Sequence, residues 1–253
     1  MNILITGKNG FVGSHLTKKL VGYNIEGIER NDFDLTNREE TNKFFQNKYY
    51  DVIIHTAIVG GSRLKEDDGE VFYQNLSMFY NLLANQDKFG QLISFGSGAE
   101  LGKPSDPYGL SKNIINRIIE SENKLNNIRI FAVFNEKELD TRFIKGNIKR
   151  YINKEPLIIH QDKLMDFFYM DDLVYLVDHI IKNPDIKTVD CSYLSSYPLS
   201  TIARMINELS DHECEIIVQN EQLGKPYISQ QDRLKLPYIG LKQAIKNVYN
   251  ELN

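Results

Sequence analysis

The stretch SFGSGAELGKPSDPYGLSK, residues 94–112, sets a serine, a tyrosine and a lysine among glycines, prolines and small residues. Tyr108 and Lys112 are four positions apart in a segment whose pattern predicts a helix, so both side chains leave one face and can reach the same bound molecule. A free phenol titrates near ~10, and a neighbouring ammonium favours the phenolate and lowers that value. Such a pair can take up and deliver a proton near neutral pH. Ser97 ends an apolar run that reads as a strand, where its hydroxyl can hold a substrate oxygen beside the phenol. A Tyr-x-x-x-Lys match is common, so the three residues need elements that bring them to a ligand.

A second constellation supplies a ligand chemistry. ITGKNGFVG sets Gly7, Gly10 and Gly13 three apart at the first strand-to-helix junction. A pyrophosphate can rest on a helix's leading amides only where the backbone comes close, and each missing Cβ permits that approach or a tight turn. At the end of the second strand, ERNDFDL supplies Glu29 and Arg30. A carboxylate there binds adenosine ribose hydroxyls and selects NAD, whereas a guanidinium favours the additional phosphate of NADP. The sequence offers both, and with Lys8 also in the glycine loop NADP is the preferred expectation over NAD.

The elements that must position these groups alternate. NILIT (2–6), IEGIER (25–30), DVIIHTA (51–57), QLISF (91–95) and IRIFAVF (128–134) read as strands. Between them, 11–21, 36–47 capped by Thr36, 71–83 and 108–123 read as helices. Strict alternation predicts an α/β fold, a Rossmann-type doubly wound parallel sheet with helices on both faces and ligands at the strands' carboxyl ends. After Phe134 the pattern loosens into a helix and short strand (142–160), a helix opening on Asp171 and Asp172 (170–183), and amphipathic helices at 200–210 and 241–252. Residues 1–135 are thus expected to form the dinucleotide-binding domain. Residues 136–253 are expected to form mainly a small mixed substrate lobe, with some segments returning to the Rossmann core.

Composition narrows the classes. The 253 residues are 42% hydrophobic, enough for a sizeable core, and the formal net charge of −4 lacks the Lys/Arg excess of a nucleic-acid surface. Cys191 and Cys214 have neither disulfide-framework nor metal spacing, so a reducing cytoplasm and no metal are expected. No run approaches about 18 apolar residues and the opening MNILITGKNG has no cleavage site, so neither a membrane span nor export is expected. Arg142, Lys145, Lys149 and Arg150, and Lys225 in GKPYISQQD, could meet a substrate pyrophosphate, although a basic helix face is more often merely solvated. His55 ends an apolar strand and reads as packed. Glu100 and Lys103 lie near the triad with no assigned role, and Asp166 and Asp172 read as structural.

TGKNGFVG, DL at Asp34, DVIIHTA, SFGSGAELG, PYGLSK and MDFFYMDDLV, in that order, resemble the extended short-chain dehydrogenase/reductase family, which acts on nucleotide-linked sugars. The likeness covers nearly the whole chain. HTAIVGGSRLKEDDGEVFYQNLSMFYNLL is most similar to the GDP-fucose synthases, with their Val-Gly-Gly after the third strand. The resemblance implies that Ser97, Tyr108 and Lys112 are the catalytic set. It implies that Phe11, Val12, Asp34, Leu35, Ala57 and Val133 line the cofactor, with Tyr108 and Lys112 also touching it, and it admits a homodimer paired through two helices of each copy. Departures redirect the chemistry. Ala99 stands where fucose synthases carry a cysteine, no histidine lies between His55 and His160, and Gly98 and Ala99 replace the Asp-Glu of the sugar dehydratases. Ala132 replaces a common Asn, Met165 replaces a basic residue, and only 11 positions separate Ser97 from Tyr108. What remains is reduction of a nucleoside-diphosphate 4-keto-6-deoxy sugar by NAD(P)H. The alternatives are a nucleotide-sugar 4-epimerase with retained NAD, and a catalytically inactive dinucleotide-sensing or scaffold protein.

Overall fold

A computed structural model describes residues 1–62, 65–102, 104–231 and 233–253. They divide into two compact units, Met1–Ile130 with Leu176–Val189, and Phe131–Tyr175 with Asp190–Asn253. The first unit holds β1 (Asn2–Thr6), α1 (Phe11–Lys19), β2 (Asn24–Ile28), α2 (Arg38–Phe45), β3 (Tyr50–His55) and α3 (Gly69–Leu83). These are followed by β4 (Phe89–Ser97), α4 (Pro107–Ser121) and β5 (Leu125–Ile130). The second unit holds β6 (Val133–Phe134), α5 (Phe143–Ile152), β7 (Leu157–Gln161), β8 (Leu164–Met165) and β9 (Phe168–Tyr169). α6 (Met170–Lys182) and β10 (Thr188–Asp190) are divided between the units. β11 (Tyr197–Pro198), α7 (Leu199–Asn207), β12 (Ile216–Asn220) and α8 (Leu241–Leu252) complete the second.

The central sheet has the order β10-β5-β4-β3-β1-β2, and the pairs β1–β2, β1–β3, β3–β4 and β4–β5 are parallel. The fold is therefore α/β of Rossmann type. The order reverses between β1 and β3, and at that switch point the loops leaving the two strands part to open a crevice. Register lays an apolar row across the sheet: Leu4 opposite Ile53, Ile53 opposite Leu92, Leu92 opposite Leu125. The row packs on Met78, Phe79 and Leu82 of α3 and on Ile115 and Ile119 of α4. Two residues further on, and so on the same face, the row turns polar: Thr6, His55, Ser94 and Asn127. The hydrophobic floor thus ends one step below the strands' carboxyl ends, where a polar site begins.

Four elements depart from the sequence expectation. α2 is capped by Asn37, whose side chain accepts from the amides of Glu39 and Glu40, because the Thr36 amide and hydroxyl are both drawn to Asp34. Strand two ends at Ile28 and strand three at His55, leaving Glu29, Arg30, Thr56 and Ala57 in the loops beyond. IRIFAVF is not one strand: β5 stops at Ile130, while Val133 and Phe134 pair with Phe168 and Tyr169 in a separate two-stranded sheet. In the second unit Phe134, Ile144, Ile148, Leu157, Ile202 and Ile245 share one core. Among the described residues no helix is long and apolar enough to cross a membrane, and no group of three His, Cys, Asp or Glu could hold a metal ion.

Candidate active site

The crevice at the switch point is a cleft of about 290 Å³ lined by the glycine loop, by the residues following β2 and by residues 57–59 following β3. Gly7 turns the chain at φ +71°, and a Cβ on it would lie 2.8 Å from the Ala57 amide nitrogen. A Cβ on Gly13 would collide with the Gly7 carbonyl oxygen and the Thr56 hydroxyl. The loop therefore presses backbone against backbone. α1 starts at Gly10 with no side-chain cap and no acidic residue in its first turn, which leaves its leading amides and positive dipole end available to an anion. Gly7, Gly10, Arg30, Asp34, Leu35 and Ala57 line the cleft. Phe11, Val12 and Gly13 form the first turn of α1 and are not among its lining residues; Phe11 is exposed and Gly13 buried. Val133 lies in β6, half-buried in the second unit.

Charges meet at the cleft's rim. Arg30 reaches Asp34 at 3.4 Å with its side chain 69% exposed, a loosely held guanidinium. Partial burial works against ionisation of Asp34, yet the Thr36 amide and hydroxyl and Arg30 hold its carboxyl below the usual range. Lys8 is paired with Asp32 at 2.9 Å, and Glu29 accepts from the Asn9 side chain of the glycine loop. Of the two basic groups singled out for a second phosphate, Arg30 is thus the freer.

Along the same loop, two residues past the cleft's lining, Gly61 (φ +72°) meets Tyr108. A Cβ there would come within 2.7 Å of Tyr108 Cζ, so the phenol lies directly on the Gly61 backbone. Tyr108 and Lys112 occupy the first turns of α4, whose start is fixed by Pro107 and by Asp106 accepting from the Gly109 amide at 2.6 Å. Tyr108 is half-buried; Lys112 is 5% exposed, its Nζ 6.0 Å from the Tyr108 ring centre and donating to the Phe95 carbonyl oxygen at 2.5 Å. Burial pulls the Lys112 ammonium down to about 8, with Glu100 opposing. β4 ends on Ser97, whose hydroxyl accepts from the Ala99 amide at 3.2 Å. His55 is buried, bonded to Thr6 Oγ1 at 2.8 Å, and burial and the Lys112 charge press it down to about 3, so it is neutral and packed.

The model of the NAD dependent epimerase/dehydratase family matches residues 3–191, about three quarters of the chain. The chain belongs to that family. Among curated relatives of this epimerase/dehydratase family member, protein CapI of Staphylococcus aureus is 24% identical over 234 residues, covering 73% of this chain and 70% of CapI. CDP-abequose synthase of Yersinia pseudotuberculosis is 21% identical over 246 residues, covering 85% and 87%. Two solved structures share the fold: UDP-glucuronic acid 4-epimerase from Bacillus cereus with UDP-glucuronic acid and NAD (TM-score 0.78, 20% identity, 99% and 98% covered), and GDP-mannoheptose C4 reductase from Campylobacter jejuni with NADP bound (TM-score 0.79, 18% identity, 99% and 98% covered).

In this family member the basic residues of the second unit differ in their freedom. Lys145 and Lys149 are both neutralised by Asp140, at 2.9 and 2.6 Å, and Arg150 by Glu155 at 3.4 Å. Arg142, the N-cap residue of α5, and Lys225 are exposed. Asp172 accepts from Tyr193 and from the amides of Ile239 and Gly240, and Asp166 from Ser196, the Ser229 amide and Arg233, so both tie loops together. Lys103 lies outside the described residues. Sequence reasoning overlooked Gly61 as a seat for the phenol, although the Val-Gly-Gly run was visible, and gave Glu100 no task. Glu100 is 2% exposed and ion-paired with Arg129 at 2.7 Å.

Proposed function

We propose that this chain reduces the ketone of a nucleoside-diphosphate 4-keto-6-deoxy sugar with NADPH. The observation that carries the reading is the Tyr108 ring lying on Gly61, in the loop that also lines the cleft, with the buried Lys112 ammonium behind it. When bound, a reduced nicotinamide supplies the hydride for the carbonyl carbon. Tyr108 gives its proton to the carbonyl oxygen, so that the C=O becomes CH–OH, and solvent restores the proton afterwards. Lys112 stabilises the phenolate left behind, and the Ser97 hydroxyl orients the carbonyl. The glycine loop and the uncapped start of α1 suit the dinucleotide's pyrophosphate, and the loosely paired Arg30 suits a 2′-phosphate. NADPH is accordingly preferred over NADH.

The sugar-nucleotide substrate rests on the family and on the UDP-glucuronic acid and GDP-mannoheptose of its structural neighbours. Ala99 and the absence of any histidine from residues 56–159 remove the acid/base pair that the fucose synthases use for epimerisation; a 4-epimerase would use Ser97, Tyr108 and Lys112 with a retained NAD, and protein that purifies with stoichiometric NAD would favour it over the reductase. The first unit is assigned to the dinucleotide and the second mainly to the substrate, with Arg142 and Lys225 as its diphosphate contacts. The test is a panel of 4-keto sugars carrying GDP, dTDP, UDP or CDP, with NADPH and NADH oxidation followed by absorbance. Tyr108→Phe should lower kcat at least about 100-fold while leaving the cofactor Kd within about threefold. A fully active Tyr108→Phe protein would overturn the reading.

A further inference from the structure

Beneath the Ser97 turn lies a buried ion pair that the proposed reaction does not use directly. Glu100 Oε2 accepts from the Ser97 amide at 3.1 Å while Ser97 Oγ accepts from the Ala99 amide, a reciprocal cap on the short turn that follows β4. Glu100 Oε1 accepts from Arg129 Nε at 2.7 Å and from Asn127 Nδ2 at 2.9 Å, both on β5, and its carbonyl oxygen accepts from Asn113 of α4 at 2.8 Å. One residue therefore ties the end of β4 to β5 and to the helix that carries Tyr108 and Lys112. The carboxylate lies flat on β4: a Cβ on Gly96 would sit 2.5 Å from Glu100 Oε2. Arg129 is 3% exposed. An apolar pair of similar volume is commonly as stable as a buried ion pair, and the turn could be closed by the Ser97 hydroxyl alone. A carboxylate kept in this place is better accounted for by orientation than by stability.

We propose that the Glu100–Arg129 pair is a positioning device: it fixes the Ser97 amide, and through it the direction of the Ser97 hydroxyl, and its carboxylate helps to keep the Lys112 ammonium charged. This rests on the reading of Ser97 and Lys112 as members of the reactive set. Among the described residues, the charged and titratable groups that face Lys112 include His55 at the end of β3, Tyr108 on its own helix and Glu100 after β4, which Arg129 of β5 pairs in turn. His55 is neutral, so Glu100 is the anion that opposes the desolvation of Lys112. Removing its charge lets Lys112 release its proton at lower pH.

The experiment is a double-mutant cycle on kcat with Ser97→Ala, Glu100→Gln and the pair, together with Glu100→Asp, which keeps the charge but draws it back from the Ser97 amide. Ser97→Ala should lower kcat by about 100-fold or more, and Glu100→Gln by about 10- to 100-fold with KM within about threefold. Measured well to the acid side of the alkaline limb, where Lys112 stays charged in every variant, the Glu100→Gln loss should largely vanish in the Ser97→Ala background. The alkaline limb of the kcat profile should move to lower pH by about half a unit or more in Glu100→Gln and stay in place in Glu100→Asp. If Glu100→Gln does not fold, Glu100→Asp carries the cycle, with a loss again confined to the Ser97 background. Additive losses, or an unmoved alkaline limb in a folded Glu100→Gln, overturn the positioning role while leaving the reaction intact. A harmless Ser97→Ala overturns both the assignment of Ser97 and the device built on it.

Discussion

Lys112 sits where two demands conflict. In the proposed reaction it must be charged to stabilise a phenolate, yet it is 5% exposed and its burial brings its proton loss down to about 8. The sign follows directly: below about 8 the ammonium is present and above it the charge fades, so the kcat of reduction should fall as pH rises through about 8. A profile that rises across that range, measured at saturating substrate, would separate Lys112 from the proton transfer. At this scale the sequence was informative where chemistry depends on local spacing. Tyr108 and Lys112 share a helix face because they are four apart, and Ser97 ends its strand. It was silent where a partner comes from elsewhere: Glu100 meets Arg129 from 29 residues away, and Tyr108 meets Gly61 from another loop.

Among the elements, the strand-to-helix turn after β1 is under the tightest geometric constraint. A methyl group on Gly13 would collide with the Gly7 carbonyl oxygen and meet the Thr56 hydroxyl at 2.6 Å and the Gly7 carbonyl carbon at 2.9 Å, two of the three being fixed backbone. Gly13→Ala should therefore cost about 1–3 kcal/mol in denaturant unfolding and weaken NADPH binding, measured by fluorescence titration, by about tenfold or more. An unchanged Kd would show that the loop does not carry the pyrophosphate. Strands β1 to β5 were legible from apolar runs alternating with helical periodicity. Their ends were not, because an end is set by where the partner's hydrogen bonds stop. Phe131 leaves the β5 line since the next residues pair with β9, some 35 positions on, and Thr36 lost the cap of α2 to Asn37 because Asp34 took its amide and hydroxyl.

For the molecule as a whole, the polar row under the site couples stability to pH. His55 is pressed from 6.5 to about 3 by burial first and the Lys112 charge second, so the unfolded chain takes up a proton that the folded chain refuses. A depressed histidine contributes stability that is whole above about 6.5 and is lost as pH falls towards about 3. Between pH about 4 and 6 the slope of unfolding free energy against pH should be shallower in His55→Gln than in the wild type by about 1.4 kcal/mol per pH unit. Equal slopes would mean that His55 is not held neutral. The alternation of strand and helix loosens after Phe134, and some later segments were expected to return to the first part of the chain; that residues 176–189 are grouped with the first unit follows from long-range contacts that no local pattern records.

In the proposed reduction one carbonyl receives a hydride from the dinucleotide and a proton from Tyr108, with no return step. Incubating the protein with NADPH deuterated at the transferable position and a nucleoside-diphosphate 4-keto-6-deoxy sugar tests this by mass spectrometry. One deuterium is expected at C4 of the sugar, in step with cofactor oxidation, for the wild type, and none at a comparable rate for Tyr108→Phe. Deuterium retained wholly in the cofactor while C4 of a 4-hydroxy sugar nucleotide inverts, or incorporation undiminished in Tyr108→Phe, would contradict it.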